Sequence, residues 1–149
     1  MNDTRSIDNE ILLGEICLHL SQGKRVKFRA KGNSMRPFIQ GNEDILLLSP
    51  SDSLHKDDIV LACIDGKRYV IHRIIGIRGD KITLMGDGNL YGTEKCSRSD
   101  IFGTVVRIVH KGKEYNMTSL YASLSAKIWR FVLPIRRMKT KISNKIIRK

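Results

Sequence analysis

In Asp58-Ile59-Val60-Leu61-Ala62-Cys63-Ile64-Asp65-Gly66-Lys67-Arg68-Tyr69-Val70-Ile71-His72-Arg73-Ile74-Ile75-Gly76-Ile77, two apolar-rich runs flank the dipeptide Asp65-Gly66. Asp-Gly is a preferred centre for a two-residue hairpin, because both positions tolerate positive φ. The runs are rich in Val, Ile and Tyr, which suit a pleated, half-buried surface. This spacing predicts an antiparallel pair over 58–64 and 67–77. Outward from it, strand texture continues over 25–30, 44–48, 81–85, 101–111 and a short 114–117. Gly79-Asp80, Gly86-Asp87-Gly88-Asn89 and Lys111-Gly112-Lys113 punctuate these runs. No strand–helix alternation occurs, so a doubly wound parallel sheet is excluded and a mostly β, antiparallel domain is expected.

Helical patterns lie at both ends. Residues 8–22 carry Ile11, Leu12, Glu15, Ile16, His19 and Leu20 at spacings of three and four, with Asp8 or Asn9 as a cap and Gly23 as a stop. Residues 118–149 carry Leu120, Tyr121, Leu124, Ile128, Phe131, Val132, Ile135, Met138, Ile142 and Ile146 at the same period. Pro134 must kink or divide that helix. The expected organisation is an N-terminal helical segment (1–24), a β domain (25–116) and an amphipathic helical tail (117–149).

Charge follows this division. The 149 residues hold 27 Lys+Arg and 15 Asp+Glu, for a net +12. No acidic residue follows Glu114, and the nine basic residues beyond it put +9 on the tail. Residues 1–114, with 18 basic and 15 acidic side chains, carry only +3. A near-neutral body and 6% aromatic content disfavour nucleic acid as a partner. A basic amphipathic helix can lie on an anionic membrane surface, or its apolar stripe can pack on the body. No run reaches the ~20 apolar residues of a membrane span. The polar start, MNDTRSIDNE, lacks a signal peptide's basic and apolar regions. A cytoplasmic protein, peripheral at the membrane at most, is expected. Cys17, Cys63 and Cys96 form no C-x-x-C pair and no histidine stands at metal spacing, so neither a zinc site nor any other cofactor is expected. Cys17 and Cys63 sit in apolar runs as small core residues, and three widely spaced cysteines suit a reducing compartment.

Four short segments bear groups that could do chemistry. Gly32-Asn33-Ser34-Met35-Arg36-Pro37 presents a serine in a glycine-bounded turn. His72 lies mid-strand, and Asp87 lies in a glycine-flanked turn, with Asp100 just before Ile101-Phe102-Gly103. Read alone, these are a turn serine, a core histidine, a turn aspartate and a strand-start acid. Serine catalysis needs a base within hydrogen-bond reach, often a third group to orient that base, and N–H donors for the oxyanion.

Taken in order, 32–39, 57–60, 70–76, 78–80, 86–89 and 100–103 resemble the serine peptidase group of signal peptidases and self-cleaving repressor peptidases (S24/S26). The resemblance covers about residues 25–110. It implies an antiparallel β-fold, Ser34 as nucleophile and Met35 shaping the substrate site. The base falls at His72, as in the histidine-base branch of archaeal and endoplasmic-reticulum signal peptidases, which also have Arg next, here Arg73. Unperturbed histidine titrates near pH 6.5, so it needs little tuning to act at neutral pH. Asp87 or Asp100 is the implied orienter of His72. Signal peptidases often carry a serine where this chain has Gly32, so Gly32 backbone N–H groups or Asn33 must serve the oxyanion. The group's N-terminal membrane anchor and the repressors' helix-turn-helix domain are not expected ahead of the first strand. The function implied is a serine endopeptidase acting on an extended peptide or protein substrate. The alternative is a non-catalytic module of the same fold that docks to membrane, peptide or nucleic acid through its tail.

Overall fold

The computed structural model describes residues 2–117 and 120–147, with side chains described for 10–117 and 122–144. Eight strands follow a first helix, α1 (Asn2–Ser21). They are β1 (Val26–Arg29), β2 (Ile45–Pro50), β3 (Ile59–Ile64), β4 (Arg68–Arg78), β5 (Lys81–Met85), β6 (Glu94–Ser97), β7 (Ile101–His110) and β8 (Lys113–Asn116). Two helices, α2 (Leu120–Phe131) and α3 (Leu133–Ile147), close the chain. The strands form one antiparallel half-barrel sheet in the order β1-β2-β7-β3-β4-β5-β6. β2 lines one edge of β7, while β3 and β8 share the other. The expected mostly β, antiparallel architecture with a helix at each end is what the chain adopts.

The hairpin at its centre forms as its turn chemistry dictates. Asp65 (φ 55°) and Gly66 (φ 67°) are both left-handed, Lys67 N–H donates to the Ile64 carbonyl at 3.0 Å, and β3 and β4 pair along six positions. β3 is buried on both faces. Ile59 and Leu61 join one core with Leu46, Leu48, Val105 and Ile108, whereas Val60, Ala62 and Ile64 join a second with Val70, Ile74, Ile82 and Leu84. Alternation along the strand divides these side chains between the two sides.

α1 covers the first core through Leu13, Ile16, Cys17 and Leu20. Its buried face is therefore turned from the expected one, and Ile11 and Leu12 are exposed. The set 13/16/17/20 keeps one continuous helical stripe. The helix begins earlier than residue 8, so the caps expected at Asp8 and Asn9 do not form its start, and their side chains lie outside those described. Its end is the expected one: Gly23 takes φ 81°, and Lys24 N–H donates to the His19 carbonyl at 3.0 Å, as in a glycine-terminated helix.

Residues 30–44 form a loop closed at its neck. Ala30 N–H donates to the Asp44 carbonyl (2.9 Å) and Asn42 N–H to the Ala30 carbonyl (2.7 Å). The fully buried Asp44 also accepts from Gln40 N–H at 2.7 Å and pairs with His110 on β7. A Cβ on Gly41 would lie 1.8 Å from the Gly32 oxygen, so the loop can close only with glycine there.

β6 was not expected. It is an edge strand of the sheet, four residues long and mostly polar, which is how edges resist pairing with other chains. The tail helix divides at Val132, just ahead of Pro134, as the proline requires. Helical bonding still bridges the break, from Val132 N–H to the Ile128 carbonyl (3.1 Å) and from Arg136 N–H to the Val132 carbonyl (3.0 Å). No described helix is long and apolar enough to cross a membrane.

Candidate active site

The loop, β4 and β6 converge on one point. Ser34 Oγ lies 3.2 Å from His72 Nε2, and His72 Nδ1 lies 2.5 Å from Glu94 Oε2. The His72 and Glu94 side chains are only 8% and 16% exposed. Glu94 is also held from outside by Arg68 Nη1, at 3.1 Å from Oε1. The three side chains form a hydroxyl–imidazole–carboxylate relay. Ser34, His72 and Glu94 line one cavity of about 390 Å³, together with Met35, Leu13 and Tyr69. A larger cavity, about 810 Å³, lies between the body and α2. It is lined by Asp57, Asp58, His110 and Ser123 and contains neither Ser34 nor His72, so size does not select it as the reactive site.

The structure brings Ser34 and His72 together and corrects the aspartates. Asp87 does not reach the imidazole. Its Oδ1 accepts from Arg73 Nε at 2.8 Å and its Oδ2 from Arg73 Nη2 at 2.7 Å, with both side chains about 95% buried. Arg73 and His72 are consecutive in β4 and so face opposite sides. A carboxylate committed to Arg73 cannot also orient His72. Asp100 caps the 3-10 turn Arg98–Asp100 instead, accepting from Ser97 N–H at 2.8 Å. Glu94 is the carboxylate that meets His72 Nδ1, and its signal was hidden by the polarity and brevity of β6.

Asp87 acts through its backbone and its arginine. The 86–90 turn lies against the serine turn: Gly88 N–H donates to the Ser34 carbonyl at 2.8 Å, and Asp87 N–H contacts Met35 Sδ at 3.4 Å. Met35 is buried and ties the two turns together. The approach is close enough that a Cβ on Gly86 would sit 2.5 Å from the Ser34 oxygen and 3.2 Å from His72 Nε2. Gly32 opens the serine turn at φ 81°, left-handed backbone in which glycine is the natural occupant. Asn33 is exposed beside it.

The tail reaches the same turn from the other side. Trp129 Nε1 donates to the Asp87 carbonyl at 2.7 Å, as does Arg136 Nη2 at 2.9 Å, and Arg137 Nε donates to the Leu90 carbonyl at 2.7 Å. Arg136 stacks on Trp129 (3.9 Å to the ring centroid) and Trp129 meets Phe38 edge-on at 6.1 Å. Arg130 Nη2 lies 2.6 Å from Asp57 Oδ1. Burial pulls Arg136 below its ordinary value, opposed by the Asp87 carboxylate. Burial likewise raises Asp58, against the pull of the His55 N–H and ring. The thiols are free. Burial pushes Cys17 up to about 12 and Cys96 up to about 11. No group of His, Cys, Asp and Glu suited to a metal ion occurs among the described residues.

An antiparallel half-barrel with a serine turn facing a strand-borne histidine defines a serine-peptidase-type domain. The chain matches the family model for Peptidase S24-like proteins over residues 3–106, more than half its length, and it belongs to that family. No curated protein is similar enough to count as a match.

Proposed function

We propose that the protein is a serine endopeptidase with Ser34 as nucleophile, His72 as general base and Glu94 as the carboxylate that orients it. The observation that carries this reading is the relay Ser34 Oγ···His72 Nε2···Glu94 through both ring nitrogens, 3.2 Å and 2.5 Å long. Glu94 accepts a hydrogen bond from Nδ1–H, which leaves the Nε2 lone pair to take the Ser34 proton. Oγ then attacks the scissile carbonyl, and N–H groups of the Gly32–Met35 stretch, or the Asn33 side chain, take the oxyanion. On collapse, Nε2 returns the proton to the leaving amine, and the C–N bond breaks to give an acyl-enzyme. A water, deprotonated in the same way, releases the acid and restores Ser34. The substrate is an extended peptide, processed as a signal-peptidase-type enzyme of the histidine-base kind would process it. Met35, beneath the serine, shapes the pocket for it.

The test is labelling by an acylating serine probe, wild type against Ser34→Ala and His72→Ala. Label on the wild type alone, mapped to Ser34, is expected. Absence of label on the folded wild type, with no peptide cleaved, would leave a binding module of the same fold.

A further inference from the structure

α2 and α3 have two opposite faces. Trp129, Arg130, Arg136, Arg137 and the buried Ala126 face the body. Leu124, Ile128, Phe131, Ile135, Met138 and Ile142 are each more than half exposed, Phe131 at 84%. Their spacing of four, three, four, three and four residues keeps them on one line along a helix of 3.6 residues per turn. The same arithmetic sets the body-facing residues on the far side. Helical bonding across Val132 carries the line from α2 into α3. Exposed Lys127 and Lys139 flank it, one on each side. A contiguous apolar stripe of this length marks an interaction surface.

Charge decides what covers the stripe. Every ionisable side chain beyond Glu114, apart from Tyr115 and Tyr121, is a lysine or arginine. Two copies packed stripe to stripe would bring like charges together with no acid to pair them. Nucleic acid would meet the lysines and leave the apolar line in water. A bilayer with anionic headgroups satisfies both, with apolar side chains at the acyl boundary and flanking lysines at the phosphates. We infer that α2–α3 is a two-faced interfacial clamp: its outer face seats on an anionic lipid surface while its inner face holds the 86–90 turn behind Ser34. The helix is about 10–12 Å across, so the clamp sets the Ser34–His72 pair close to the bilayer. On the peptidase reading, the substrate is then a peptide presented at that surface. The docking itself does not rest on that reading.

The experiment is co-sedimentation of the full chain with vesicles of phosphatidylglycerol and phosphatidylcholine, against phosphatidylcholine alone. Binding to the anionic vesicles only is expected, weakened by salt. Lys127→Ala with Lys139→Ala should weaken it about 30-fold, at the roughly fivefold per basic residue expected near an anionic surface. Phe131→Asp with Met138→Asp, at exposed positions, should abolish it with the fold intact by circular dichroism. Ser34→Ala should bind like wild type, so that failed catalysis and failed docking are told apart. No binding by the wild type, or equal binding by the Phe131/Met138 variant, overturns the inference. So does a lipid-free dimer that the same variant dissociates, since a second copy would then cover the stripe.

Discussion

Glu94→Gln tests the site most directly, because Glu94 and the two aspartates make opposite demands. Glutamine keeps the size of the side chain and an oxygen to accept the Nδ1 proton, and removes only the charge. The lost quantity is the attraction between the Glu94 carboxylate and the imidazolium that forms as His72 takes the Ser34 proton. For charge centres about 4 Å apart at an effective dielectric near 20, that attraction is ~4 kcal/mol. Arg68, 3.1 Å from the other carboxylate oxygen, already offsets part of it, and glutamine retains a neutral hydrogen bond. An acylation rate lowered about 100-fold follows, at tenfold per 1.36 kcal/mol. The assay is the burst of phenolate from an activated aryl ester, wild type against variant, across a range of pH. Folding stability should change by less than about 1 kcal/mol, because Glu94 sits on an edge strand and its hydrogen bond survives. A Glu94→Gln enzyme within threefold of wild type, alongside a fully folded but inactive Asp87→Asn, would refute the assignment and restore Asp87 as the orienter.

Three further outcomes follow from the same geometry. Asp87→Asn strips the counter-charge from a buried Arg73 and should cost about 3–5 kcal/mol in urea denaturation, while Arg73→Met with Asp87→Leu recovers much of it; a single-variant cost below about 1 kcal/mol contradicts the structural role. Cys17 must stay protonated in the fold, where burial pushes it from an ordinary 9.0 to about 12, whereas the unfolded chain releases that proton near 9. Its contribution is therefore intact below pH 9 and lost as pH rises toward 12, by up to ~1.4 kcal/mol per pH unit; Cys17→Ala should flatten that slope, and equal slopes in both proteins count against it. Gly86→Ala would drive a Cβ to 2.5 Å from the Ser34 oxygen, so acylation should collapse while stability falls by about 1–3 kcal/mol; an active Gly86→Ala enzyme means the two turns are not in register as described.

The sheet was legible where turn chemistry and apolar runs coincide. Asp65-Gly66 and Gly79-Asp80 mark two of its hairpins, and β5 has the expected bounds. Ser34 and His72 were legible only through the order of short segments, since each is ordinary by itself. β6 was not, because three of its four residues, Glu94, Lys95 and Ser97, are polar. A sheet edge is stable with such residues, so the pattern that reveals buried strands is absent there. With β6 unseen, Glu94 carried no signal, and the resemblance pointed to Asp87 or Asp100 for His72. The adjacency of His72 and Arg73 held the correction: one faces the serine and the other the opposite side, so Asp87 could serve only one of them.

The same adjacency explains why the tail and the site belong to one device. Arg73 secures the Asp87 side chain from within the sheet, and Trp129 and Arg136 secure the Asp87 carbonyl from the tail. Asp87 is thus held at both ends by groups outside the relay, while its neighbour Gly88 fixes the Ser34 carbonyl. A carboxylate in direct contact with His72 would have tuned the base. A carboxylate locked to Arg73 instead makes the serine turn answer to whatever positions α2 and α3. Most of the excess positive charge of the chain lies beyond Glu114, and part of it, at Arg136 and Arg137, is spent on carbonyls of the 86–90 turn. Arg130 pairs with Asp57 on the body, whereas Lys127, Lys139 and Lys141 are exposed with the stripe. The described cations of the tail are therefore two populations: those that hold the candidate site together from behind, and those exposed to meet an anionic surface in front.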